Sequence, residues 1–177
     1  MKRLLLLRHA KAVAGGSKSG DHGRALTDRG RSDAAKIGIA MQHKRYLPGL
    51  VLCSTSERTV ETWRHVGAEL DLVPPVEFLD ELYLASAKTI ANSVRAVREP
   101  AEAVLVIGHN PGLEECARAL VGKPRSDAER KHLEAIAEKF PTSALAVIAF
   151  EVQDWSAVAA GGGVLSDFLR PKDLTDQ

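Results

Sequence analysis

The chain reads as an α/β protein, a three-layer α/β/α sandwich built on a mostly parallel central sheet. Three observations predict this. Short apolar runs occur at residues 4–7, 50–53, 103–107 and 144–150, and they scarcely alternate, as expected of strands covered on both faces. Segments with helical spacing separate them. The resulting alternation of strand and helix favours parallel pairing and places ligand sites beyond the carboxyl ends of the strands.

In chain order, residues 4–7 form the first strand, with Arg8 and His9 immediately after it, and residues 15–23 form a polar, glycine-rich loop. Thr27 is a good N-cap for a helix carrying Ala34, Ile37 and Met41 at i, i+3 and i+7. After strand 50–53, Ser54 and Glu57 make an S-x-x-E capping box that starts a helix with Arg58 in its first turn. Pro74 and Pro75 break the chain before a short extended piece. After strand 103–107, Asn110 caps a helix with Pro111 at its first position, so His109 precedes an N-terminus whose free N–H groups favour an anion. Leu133, Ile136, Ala137 and Phe140 repeat at i, i+3, i+4 and i+7 within the charged stretch 125–139, an amphipathic helix with a solvated face. Strand 144–150 follows, and glycines 161–163 open the tail.

A length of 177 residues with 45% apolar and 27% charged content suits one globular domain over residues 1–177. The 24 Lys and Arg against 23 Asp and Glu leave a net charge of +1. No global field then argues for nucleic acid or a membrane surface as partner, and any anion site must be local. The opening MKRLLLL has an apolar run too short for an exported or spanning segment, so the expected location is the cytoplasm. Cys53 and Cys116 lie in apolar stretches and read as core residues.

The chemistry sits at the strand ends. Arg8 and His9 follow the first strand, Arg58 follows the second by five residues, and His109 follows Ile107 by two. A neutral imidazole nitrogen can attack phosphorus while fixed cations stabilise charge on the equatorial oxygens. Arginine fits that task because its planar fork donates two hydrogen bonds to one phosphate. Arg8, Arg58, His109 and Asn110 are therefore the expected phosphate-binding residues. Of the six histidines, His22, His43, His65 and His132 fall in a loop or on polar helix faces, with His22 nearest the mouth of the site. No H-x-H, H-E-x-x-H or C-x-x-C spacing occurs, so no metal and no other cofactor is expected. A P-loop and a G-x-S-x-G elbow are absent too.

The segments LLLLRHAKA, LCSTSERTVET and VLVIGHNPG, in this order, resemble the histidine phosphatase superfamily, and most closely its SixA-type phosphohistidine phosphatases. The resemblance covers nearly the whole chain and implies a phosphoglycerate mutase-like fold and a metal-independent phosphatase. It implies that His9 is phosphorylated during turnover and that Arg8 precedes it in the R-H-A motif. It maps S-x-x-x-R-x-x-x-T onto Ser54, Arg58 and Thr62, and the G-H pair onto Gly108 and His109. DHGRALTDRGR, residues 21–31, is similar to the family's D-x-x-R-x-L-T-x-x-G segment and reads as mainly structural, with Arg24 a further candidate for substrate contact; the tail FLRPKDL should pack.

Ala10 and Ala12 depart from the glycine and threonine common in the broader superfamily, which disfavours a phosphoglycerate mutase. The family's general acid maps best to Glu81 in FLDELYLA, with Asp80 adjacent. Only 22 residues, Thr59 to Asp80, separate Arg58 from Glu81, too few for a cap over a small substrate. The expected substrate is therefore phosphohistidine on a histidine phosphotransfer or signalling protein. The alternatives are a small phosphorylated metabolite, hydrolysed by a phosphomonoesterase of the same superfamily, and a non-catalytic module that binds phosphorylated partners.

Overall fold

The leucine run of the first strand, β1 (Lys2–Arg8), is wholly inaccessible to solvent. The computed structural model describes residues 1–15, 18 and 20–174, so part of the expected loop 15–23 lies outside the described residues. The other strands are β2 (Leu50–Ser54), β3 (Val76–Leu79), β4 (Ala103–Gly108), β5 (Leu145–Phe150) and β6 (Gly163–Leu169). They form one sheet in the order β3-β2-β4-β1-β5-β6. The pairs β3·β2, β2·β4 and β4·β1 are parallel, whereas β5 runs antiparallel to β1 and β6 antiparallel to β5.

Successive side chains of a strand point to opposite faces, so a continuously apolar strand feeds two cores. Leu4, Leu6, Leu52, Val104, Val106 and Ile148 pack on one face beneath helices α3 (Ala87–Arg95), α4 (Gly112–Leu120) and α5 (Asp127–Glu138). Leu5, Leu7, Val51, Leu105, Ile107 and Val147 pack on the other against α1 (Asp28–Lys44) and α2 (Glu57–Gly67). This is the expected three-layer arrangement. Cys53 and Cys116 are core residues, and burial pushes both thiols up to about 12.

Several local expectations are corrected. Helix α5 ends at Glu138, Ala137 is exposed, and Phe140 is buried beyond the helix against Phe168, at 5.2 Å between ring centroids. Helix α3 and strand β6 carry weak patterns in the sequence. α3 is only nine residues long, and the register of β6 against β5 shifts between Val147 and Ile148 of β5. Thr27 caps α1 as expected, accepting from the Gly30 amide at 3.0 Å.

Gly112 opens α4 where the helix presses on the loop before α3. A Cβ there would lie 1.9 Å from the Ala85 carbonyl oxygen. Gly112→Ala should therefore destabilise the protein by about 1–3 kcal/mol, the usual cost of overpacking. Denaturant unfolding tests this, and a change below about 0.5 kcal/mol, the level of an ordinary surface substitution, would contradict it.

Candidate active site

Because β2, β4 and β1 are adjacent and parallel, their carboxyl ends meet at one edge of the sheet, and antiparallel β5 begins at that same edge. Arg8 is the last residue of β1, opposite Gly108. The His9 amide donates to the Gly108 carbonyl at 3.1 Å, and the Ser143 amide lies 3.2 Å from the carbonyls of both Arg8 and His9. The segment leading into β5 thus fixes the backbone at this point. Arg8 Nη1 donates to the Phe140 carbonyl at 2.9 Å, while its buried Nε has no hydrogen-bond partner among the described residues.

The His9 ring is held from behind. Its Nδ1 lies 2.7 Å from the Ala10 carbonyl oxygen, which can only accept, so Nδ1 carries the proton and Nε2 the lone pair. The Ala10 peptide is itself clamped: its amide donates to Thr62 Oγ1 at 2.9 Å, and that hydroxyl donates to the Arg58 carbonyl at 2.6 Å. Burial, reinforced by the positive charges of Arg58, Arg8 and Arg24 and opposed by the bond to Ala10, lowers the His9 pKa to about 4. The imidazole is neutral at pH 7.

Arg58 lies in the first turn of α2, as the sequence predicts, but the capping box does not form. The helix starts at Glu57 with Ser56 as N-cap, and the Glu57 amide donates to the His22 carbonyl at 2.9 Å. Ser54 cannot serve as the cap because it still belongs to β2, paired with Leu79, and its Oγ meets His109 Nε2 at 2.8 Å. The Arg58 side chain is only 3% exposed. Its Nη1 donates to the Asp21 carbonyl at 2.8 Å, and its Nη2 to Asp21 Oδ2 at 3.1 Å and His109 Nδ1 at 3.3 Å; its buried Nε has no hydrogen-bond partner among the described residues.

Arginine has only donors, so His109 Nδ1 must accept, and the proton of the neutral ring sits on Nε2 and points to Ser54. Burial, followed by the His9 and Arg58 charges and opposed by Asp21, lowers the His109 pKa to about 3. The His9 and His109 rings are 5.3 Å apart between centroids. In the unfolded chain both imidazoles would take up protons near 6.5. Below that pH the unfolded state binds more protons than the folded one, so stability should fall as pH drops from about 6.5 toward 4. NMR titration should show both rings neutral at pH 6, and a midpoint near 6.5 for either ring would refute the assignment.

Two predicted site residues are placed differently from expectation. Asn110 spends both ends of its amide within the fold: Nδ2 donates to the Phe140 carbonyl at 3.1 Å and Oδ1 accepts from the Glu114 amide at 3.3 Å. Pro111 precedes α4 rather than occupying its first position. Glu81 is not brought to the cluster. It lies in a tight turn, Asp80–Leu82, that buries Leu82 in the core, and its Oε1 accepts from Ser93 Oγ on α3 at 3.0 Å. With three residues per turn, neighbouring side chains diverge, so Tyr83 rather than Glu81 faces His109, at 5.4 Å between centroids.

In the sequence Asp21 stood only as the first residue of the D-x-x-R-x-L-T-x-x-G segment, read as mainly structural, and Tyr83 carried no signal. The Tyr83 hydroxyl donates to Asp21 Oδ2, and Arg24 Nη1 donates to Asp21 Oδ1 at 2.9 Å. The Tyr83 and Arg24 bonds, with the nearby Arg58 charge, hold the Asp21 carboxyl far below the usual carboxylate range. Arg24 also donates Nε to the Val13 carbonyl at 2.8 Å, which ties the loop together. His22 stands at the rim as expected, with Nε2 3.1 Å from Thr55 Oγ1 and its ring edge-on to Tyr83.

Comparison with known proteins agrees with this arrangement. The family model of the histidine phosphatase superfamily (branch 1) matches residues 4–84. The Mycobacterium tuberculosis protein Rv1276c is 32% identical over 166 residues, covering 94% of this chain and all of that protein. The SixA structure from Agrobacterium tumefaciens is 30% identical with a TM-score of 0.79, covering 96% of this chain and 98% of that one. SixA from Nakamurella multipartitia gives the same identity and TM-score, covering 96% of each chain. A protein histidine phosphatase SixA complexed with tungstate shares the fold at 24% identity and a TM-score of 0.76, covering 97% of this chain and 98% of that one. The motifs at three strand ends, the sheet order and these relatives converge: the chain is a SixA-like hydrolase belonging to the histidine phosphatase superfamily.

Proposed function

We propose that the protein hydrolyses phosphohistidine on a partner protein through a phosphoenzyme on His9. The observation that carries this reading is the His9 Nδ1 contact to the Ala10 carbonyl at 2.7 Å, which leaves Nε2 neutral and nucleophilic amid arginines. In the first step a bond forms between Nε2 and phosphorus while the bond from phosphorus to the leaving atom breaks, its electron pair departing with the leaving group. Arg8 and Arg58 supply the guanidinium charge for the equatorial oxygens, and His109, 3.3 Å from Arg58 Nη2, closes the group. Asn110, with both ends of its amide engaged, holds α4 against the Phe140 carbonyl and so positions the wall of the pocket. In the second step water attacks phosphorus, the electron pair returns to Nε2, and the released proton goes to solvent. Because Nδ1 keeps its proton throughout, the phosphorylated ring is the cationic, labile form.

Two features support a phosphoramidate substrate over an ester. Asp21, the acid in contact with Arg58, is held ionised and cannot protonate an alkoxide, while Glu81 is turned toward α3. Residues 59–80 are taken up by α2, its following turn and β3, so this stretch carries no inserted cap, which suits a substrate side chain presented by another protein. The names of the SixA structures, those of phosphohistidine phosphatases, support the same class. No helix among the described residues is long and apolar enough to cross a membrane, and the proposed setting is the cytoplasm. Comparing kcat/KM for a phosphohistidine protein with that for several phosphate monoesters tests the substrate. A preference of about tenfold or more for any ester, about 1.4 kcal/mol in the transition state, would overturn it while leaving the His9 mechanism intact.

A further inference from the structure

Arg58 is almost withdrawn from solvent, at 3% exposed, while the Asp21 side chain against its Nη2 is 47% exposed. A phosphate bound by that arginine therefore lies close to a more exposed carboxylate, 3.1 Å from Nη2. The carboxylate is also fixed in place, because Arg58, Arg24 and the Tyr83 hydroxyl all bind it. We propose that Asp21 is a specificity-determining residue that filters substrates by charge, repelling the dianion of a phosphate ester and admitting a phosphoryl group carried on a cationic ring. The inference rests on the phosphohistidine reading and adds the residue that enforces it.

The chemistry follows from charge. A phosphate ester brings two negative charges and a neutral leaving group, so its approach to Arg58 is opposed by Asp21. A protonated phosphohistidine has the same phosphoryl group beside an imidazolium, whose distal N–H can donate to the exposed face of the Asp21 carboxylate. When His9 Nε2 attacks, the phosphorus–nitrogen bond breaks, its electron pair stays on the leaving nitrogen, and the ring departs neutral with its distal proton in place. No proton has to come from the ionised Asp21. A carboxylate that would hinder ester hydrolysis is thus compatible with a phosphoramidate.

Asp21→Asn keeps the size of the side chain and removes its charge. Binding of inorganic phosphate, measured at a pH where it is a dianion, should tighten by about tenfold. The kcat/KM for p-nitrophenyl phosphate should rise by about tenfold while that for a phosphohistidine protein falls, shifting their ratio by about a hundredfold or more. Asp21→Ala, which also loses the hydrogen bonds, should move phosphate binding in the same direction. Unchanged or weakened phosphate binding in both variants, or a parallel loss for both substrates, would show that Asp21 only orients Arg58 and would overturn the proposal. Failure of the phosphohistidine reading is read separately, from the wild-type enzyme alone, as a preference for the ester.

Discussion

His9→Ala is expected to lower kcat by about a thousandfold or more and to abolish the phosphoenzyme that acid quenching traps from the wild type. The size of the loss follows from the arrangement around the ring. Nε2 is the neutral nucleophile of the proposed mechanism, the Ala10 carbonyl fixes its tautomer, and Thr62 fixes the Ala10 peptide. None of these supporting groups can form the covalent intermediate itself. The substitution should leave folding intact, because the clamp runs through the Ala10 amide, Thr62 and the Arg58 carbonyl and not through the imidazole. A variant within tenfold of wild type would refute covalent catalysis at this position.

Arg58→Ala should cost about a hundred- to a thousandfold in kcat/KM, the range for removing one charged donor from a transition-state oxyanion. It should also weaken inhibition by inorganic phosphate. A second consequence distinguishes a placed charge from a merely structural side chain. Burial is the main cause of the lowered pKa of both His9 and His109 and the Arg58 charge adds to it, so removing that charge should move the acid limb of kcat/KM upward from near 4, with burial still holding it below 6.5. Arg58→Lys should restore part of that limb, because it keeps a charge, but recover only part of the rate, because it loses the fork. Unchanged kinetics and phosphate inhibition would remove Arg58 from the pocket.

Much of this molecule was legible in local sequence. The four apolar runs are the four most buried strands, since a strand covered on both faces must be apolar at consecutive positions. Arg8, His9, Arg58 and His109 stood out because each ends an apolar strand or follows it within a few residues, and parallel neighbours place such ends together. Thr27 was readable as a cap because its partner lies three residues away.

What the sequence left open has partners far along the chain. Ser54 and Glu57 match a capping box locally, yet Ser54 Oγ goes to His109, 55 positions away, because the β2 ladder holds it in the strand. Glu81 was the natural acid by position, but burial of Leu82 sends it toward Ser93 and turns Tyr83 inward. Asp21 joins Tyr83 across 62 positions and Arg58 across 37, a meeting that no periodicity announces. The sequence by itself determined which residues line the strand ends, because short-range spacing and strand burial are local properties. Only the tertiary structure decided which hydrogen bonds those residues make and which acid stands beside Arg58, because packing the core sets the direction of each polar side chain around it.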